Sequence, residues 1–483
     1  MIPINLKMVS KTALNAKNLE SLGTHRLAAL LMEVSEGNAN ARRRLRLELA
    51  GSESPDKLAN EIRKRLTVLA EATSNIGPRT LKGFRGDLNS QRKLIMEQVL
   101  PDAPQLASEL MWQFIGLGDL VIERSGDSTG ETIEIFKAAC DDVGYVEQLI
   151  ASPAEELYRR TAAVQMANSY GQNDKLISAM TPLLGPQHLV ELRELIRNAS
   201  KHVPRASRVK PRTGRRWRKR LLSSSELLTK RTPEKMMRVS LLSIADALGD
   251  VDAYIALMAD AYNPNTATQI ALRLLKANRA NDALIALDRA RLASRLPMPS
   301  EWIGLRIDAL ELLDRKAEAQ KARLDQFHQT LEPHYLREYL KRLPDFEDVE
   351  AEDEVLDQVL DFPDPNEALT LLISWPSPQR AAELVKRRVF ELDGKHTITM
   401  GHAADRLSAR YPLAAVMLHR QIVEASLDTL LEPAHAAAAI NALEAESLSR
   451  HVEDFDRYDN HETWMSKLTT AHSRRRAFWN ALA

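Results

Sequence analysis

The sequence predicts an all-α protein built as a helical-hairpin repeat array, α-solenoid or tetratricopeptide-like, in two lobes. Three observations carry that expectation. Leucine and alanine supply 131 of the 483 residues, whereas valine and isoleucine supply 43. Branched side chains lose rotamer freedom on a helix and gain packing on a sheet, so this ratio favours helix. Glycine is scarce, with 18 residues, about half the usual share, which argues against turn-rich β folds and glycine-fingerprint nucleotide folds. Finally, apolar residues recur at spacings of three and four, and no convincing run alternates with a period of two.

Composition also excludes several function classes. An apolar content of 44% is ample for a sizeable core. One cysteine rules out a disulfide framework and a cysteine-built zinc site. With 66 basic and 66 acidic residues, the chain as a whole has no strong field for nucleic acid or membrane. The longest apolar region, residues 110–122, contains Gln113 and Asp119 and is far short of a membrane span. The first residues show no continuous apolar signal region and no small-residue cleavage site, so a cytoplasmic protein is expected.

Helix starts follow in order along the chain. Ser54-Pro55, Ser152-Pro153, Thr181-Pro182, Thr232-Pro233, Asp364-Pro365 and Ser377-Pro378 each pair a capping side chain with proline at the first helical position. Proline suits that position because its missing N–H would be unpaired there and its φ is already helical. Ser152 with Glu155, and Asp364 with Glu367, complete capping boxes. Leu58, Ile62, Leu66 and Leu69 form one helical stripe; Ile133, Phe136, Cys140 and Val143 form another. Cys140 on that stripe reads as buried packing and not as a nucleophile.

The helices repeat in the C-terminal half. Ala267, Ile270, Ala271 and Leu274, then Ala283, Leu287 and Ala290, place small residues where two antiparallel helices approach closely. With Pro297 following, this resembles the tetratricopeptide pattern. Trp302, Leu305, Ala309 and Leu310 repeat the first helix at a spacing of 35, and a looser second helix covers 317–327. Further hairpins are expected at 241–258 and at 403–427, the latter broken at Tyr411-Pro412.

Two stretches depart from this texture. Residues 201–220 hold ten lysines and arginines and no acid, and residues 345–361 hold nine acids and no base. Without the basic stretch the chain is therefore mildly acidic. Pro204, Pro211 and Gly214 and the lack of apolar periodicity suggest an exposed loop or linker. The expected organisation is an N-terminal helical lobe at 1–200, a basic linker at 201–232 and a tetratricopeptide-like lobe at 233–483.

Candidate sites come from the same residues. Arg205, Arg208, Lys210, Arg212, Arg215, Arg216, Arg218, Lys219 and Arg220 could neutralise phosphates, with Trp217 stacking on a base. The alternative is a solvated loop that meets an acidic partner, including the chain's own 345–361 segment. Asp127-Ser128-Thr129-Gly130-Glu131 resembles a metal or phosphate loop, yet Ser128 and Glu131 also fit a capping box for the next helix. His461 and His472 lie eleven apart on a C-terminal helix carrying Trp464, Leu468, Ala471, Phe478 and Trp479, too far apart to share one metal ion directly. No zinc-protease motif, P-loop or nucleophile elbow is present. No catalytic residue, metal or cofactor is assigned.

Many short motifs together resemble an uncharacterised bacterial helical family, domain of unknown function 6880. In the N-terminal part these are LAALLMEV, RRRLRLEL, LASELMWQFIGLGDLVIERSGDSTGETIEIFKAACDDVG and YGQNDKLISAM. In the C-terminal part they are LREYLKRLPDFEDVEAE, ALTLLISWPSPQRAAELV, YPLAAVMLHRQI and HETWMSKLTTAHSRRRAFW. The resemblance spans nearly the whole chain and implies the helical fold; it carries no chemistry. The function expected from the sequence is a non-catalytic scaffold that binds another protein. The alternatives are a nucleic-acid-binding protein using 201–220, and an enzyme with no recognisable motif.

Overall fold

A computed structural model describes residues 14–201, 230–258, 262–429 and 432–483. Two compact units divide the chain, Met1–Asp260 and Ala261–Ala483. The described residues are all-α, and neighbouring helices pack in tandem pairs, the arrangement of a helical-repeat array. None of their helices is long and apolar enough to cross a membrane.

The first unit contains α1 (Ala16–Glu20), α2 (Thr24–Ser35), α3 (Ala39–Glu53), α4 (Pro55–Glu71), α5 (Pro78–Leu94), α6 (Pro104–Gly116), α7 (Gly118–Ser125), α8 (Glu131–Ile150), α9 (Ala154–Gln165), α10 (Leu176–Lys201), α11 (Pro233–Leu248) and α12 (Val251–Leu257). The stripe on α4 is buried throughout, and so is the Ile133–Val143 stripe on α8, where Phe136 meets Phe114 of α6 at 5.3 Å. Expected and observed boundaries differ here. The sequence reading opens the C-terminal lobe at 233, but α11 lies along α10 and inserts Leu241 and Ile244 into the first unit's core.

The second unit contains α13 (Pro264–Lys276), α14 (Ala280–Ala293), α15 (Ser300–Leu312), α16 (Lys316–Thr330), α17 (Pro333–Leu340), α18 (Glu347–Val359), α19 (Pro365–Ser374), α20 (Pro378–Arg388), α21 (Thr397–Leu407), α22 (Pro412–Asp428), α23 (Glu432–Ser449), α24 (His461–His472) and α25 (Arg476–Leu482). The two tetratricopeptide-like hairpins form as expected: α13 packs on α14, and α15 on α16. Ala267, Ala271, Ala283 and Ala290 are fully buried where the helices meet. Each small side chain lets backbones approach while leucines fill the flanks. The hairpins expected at 241–258 and 403–427 also form, the second breaking before Pro412.

The expected helix starts divide. Ser54, Thr232 and Asp364 accept hydrogen bonds from the first-turn N–H groups of Lys57, Lys235 and Asn366. Ser377 occupies the capping position without a side-chain bond. Ser152 caps nothing, because α9 begins one residue later and Pro153 itself sits at the N-cap. Thr181-Pro182 lies inside α10, where Thr181 donates to the Ile177 carbonyl. The break comes instead at Gly185, whose φ of 65° only glycine adopts without strain.

Candidate interaction surface

All ten side chains proposed from the basic stretch, Arg205, Arg208, Lys210, Arg212, Arg215, Arg216, Trp217, Arg218, Lys219 and Arg220, lie outside the described residues. The acidic segment is described, and it forms α18. Its carboxylates find cations on α20 in the same unit: Arg380 reaches Asp357 at 2.7 Å and Asp353 at 2.9 Å, and Arg387 reaches Asp361 at 2.7 Å. Glu352 accepts from Trp375 Nε1 at 2.5 Å.

The 127–131 loop resolves in favour of capping, through a different residue than expected. Gly130, at φ 77°, is the N-cap of α8 and has no side chain to offer. Asp127 reaches across it instead. One carboxylate oxygen accepts from Thr132 N at 2.8 Å and Thr132 Oγ1 at 2.6 Å; the other accepts from Thr129 and from Arg85 at 2.9 Å. Burial alone would raise the Asp127 carboxyl, but these donors outweigh it and hold the group far below the usual carboxylate range. Every carboxylate lone pair is engaged by the protein itself, so the loop is a helix start.

Cys140 is fully buried, and burial pushes its thiol well above its ordinary value. Such a thiol is inert. The single C-terminal helix expected from the sequence is two, broken after His472. Trp464, Leu468 and Phe478 are buried against α22 and α23. Arg420 of α22 lies between Phe455 and Trp464, 5.6 and 5.0 Å from their ring centroids, and burial lowers its guanidinium to about 10. Among the described residues no group of three His, Cys, Asp or Glu side chains is placed to hold a metal ion.

The second unit has a cavity of about 380 Å³ at the seam between its first two hairpins. Trp302, 4% exposed, forms its wall and is fixed by donating Nε1 to the Leu287 carbonyl at 3.2 Å. The guanidiniums of Arg291 and Arg306 stand 5.5 and 6.0 Å from the Trp302 ring centroid. Arg306 is held by Asp288 at 2.9 Å, whereas Arg291 is exposed and has no acidic partner within ion-pair distance among the described residues. Gln326 and Gln329 of α16 complete the polar lining, with Asp325 beside them. An aromatic wall, planar cationic donors and two amides suit a polar group. The sequence reading treats Trp302 only as a repeat position; arginines eleven residues before it and four after it were the missed signal.

Residues 9–481 match a family model described as "Family of unknown function (DUF6880)". No curated protein matches the chain.

Proposed function

The chain belongs to this family of unknown function, DUF6880, and we propose that it is a non-catalytic, cytoplasmic helical-repeat scaffold that binds another protein. The observation that carries this reading is the cavity at the repeat seam, walled by the buried Trp302 and edged by the exposed Arg291. Stacked helical pairs create extended surfaces, and repeat arrays take their partners on such surfaces. The nucleic-acid reading rests on ten basic side chains and Trp217 in 201–220.

A photo-crosslinking residue placed at Gln329 in the native host tests the proposal. One discrete adduct is expected, lost when Arg291→Glu reverses the charge at the cavity. An adduct ladder indifferent to that reversal, or no adduct, would sink the scaffold reading.

A further inference from the structure

Helix α2 of the first unit is apolar along a face that the described residues leave open. Seven of its 12 residues are apolar, with Leu27, Leu30, Leu31 and Val34 at helical spacing and Met32 beside them. A surface helix of this pattern ordinarily turns its apolar stripe to the core, as α4 does with Leu58, Ile62, Leu66 and Leu69. In α2, Ser35 is the one buried side chain, Leu27 and Leu30 are half-buried, and Leu31, Met32 and Val34 are 51%, 68% and 72% exposed. Contiguous apolar surface of this kind marks a contact with another molecule.

The charges beside the face narrow the choice of that molecule. Arg26 and Glu33 lie seven residues apart, two turns along one flank of the stripe; His25 and Glu36, eleven apart, lie along the other. All four are exposed, and neither Arg26 nor Glu33 has an oppositely charged partner within ion-pair distance among the described residues. Each flank thus carries its basic residue near the start of the helix and its acid near the end. That order runs against the helix dipole, which favours acids in the first turn and bases in the last, and α2 has neither. The arrangement does not serve α2 on its own, but it is the complement of the same helix laid beside it in the opposite direction.

We infer that two copies of this chain pair through α2, antiparallel about a twofold axis near Leu30 and Leu31. A twofold contact is self-complementary, each contact being returned by the other copy. With the axis there, Arg26 stands opposite Glu33 of the partner subunit, and His25 opposite Glu36 of the partner subunit. Leu31, Met32 and Val34 bury one another between those charges, and the two opposed helix dipoles attract. A parallel pair would instead set Arg26 against its own copy. A helix of 12 residues offers a small interface, so the dimer belongs to the weak, reversible class. The pairing is independent of the scaffold reading and of the Trp302 cavity.

Sedimentation velocity on the full-length protein, from low to high micromolar concentration, tests the pairing. The wild type should pass from monomer to dimer across that range. Leu31→Glu should weaken association by about tenfold or more, because a leucine leaves the contact twice. Its melting temperature, measured where the wild type is monomeric, should be unchanged, since Leu31 is exposed in the single chain. Arg26→Glu and Glu33→Arg should each weaken association about tenfold, because either one places like charges together at both ends of the pair. An equimolar mixture of those two variants should associate about tenfold more tightly than either alone, since both ends then carry opposite charges. A chain that stays monomeric, as it would if a different protein takes this face, overturns the proposal. So does a dimer that survives Leu31→Glu, or a mixture no tighter than its components.

Discussion

The two units of this chain solve the same packing problem with different materials. The second unit relies on alanines and leucines at helical spacing, and several of its polar contacts are ion pairs at the surface, such as Arg380 with Asp353 and Asp357. The first unit buries a polar knot where residues 165–175 turn between helices. Asp119 accepts from Ser169 N at 2.8 Å, Ser169 Oγ at 2.6 Å and Gln172 Nε2 at 2.7 Å. Arg231 closes the knot with two bonds to Asp174, at 2.6 and 2.7 Å, and lies over Gly171, where a Cβ would sit 2.4 Å from its guanidinium. Repetition needs only local period, whereas an irregular turn held in the interior needs a hydrogen-bond partner for each polar group.

Breaking the knot should have the largest effect. Asp119→Ala leaves three partly or fully buried donors without their acceptor, and bonds to a charged group are each worth about 1.5–3 kcal/mol. Because losses at neighbouring bonds do not add, a destabilisation of about 4 kcal/mol is expected from urea unfolding. Leu287→Ala in the second unit should follow at about 3 kcal/mol, the usual cost of a buried leucine truncation. A reversed order would mean that the knot is peripheral to the first unit's stability.

Next comes pH. The Asp127 carboxyl is held below its unfolded value, so its contribution is fully present above the unfolded pKa of about 4 and is lost as pH falls through that value toward the folded one. Asp127→Asn should therefore cost about 2 kcal/mol at pH 7, and the gap from wild type should narrow below about pH 4. A gap that widened in acid would reverse the assigned sign. Cys140 gives a kinetic readout of the same core: a thiol reagent should label it slowly until denaturant is added, and fast native labelling would mean that the α8 stripe opens readily.

How much of this was legible in the sequence follows the same division. Ala267, Ala271, Ala283 and Ala290 were readable because their meaning is carried by spacing along the chain. The polar knot was not, because Asp119 and Ser169 are 50 positions apart and nothing in either segment names the other. Asp127 was missed as the cap of α8 because the choice between it and Ser128 depends on Gly130 turning left-handed. Thr181-Pro182 looked like a helix start, but the chain breaks three residues later, at Gly185. Gln91 carried a readable signal, a polar residue at an apolar position between Leu88 and Leu94, but that its buried amide finds no partner there is visible only in the fold.

The smallest expected effect is the sharpest test of the contrast. Arg380→Ala removes both ion pairs to α18 and a bond to the Asp353 carbonyl, yet Asp353 and Asp357 are about two-thirds exposed and water can replace the arginine. Exposed pairs are each worth at most about 1 kcal/mol and are screened by salt. The loss should be below about 1 kcal/mol in dilute buffer and vanish near 1 M salt, where the Debye length is only about 3 Å. Asp119→Ala should keep its full penalty at the same salt, since its three bonds are short and largely out of solvent. If Arg380→Ala proved costly and indifferent to salt, the acidic helix would be held as firmly as the knot. The second unit's stability could then no longer be assigned to its repeated apolar seam alone.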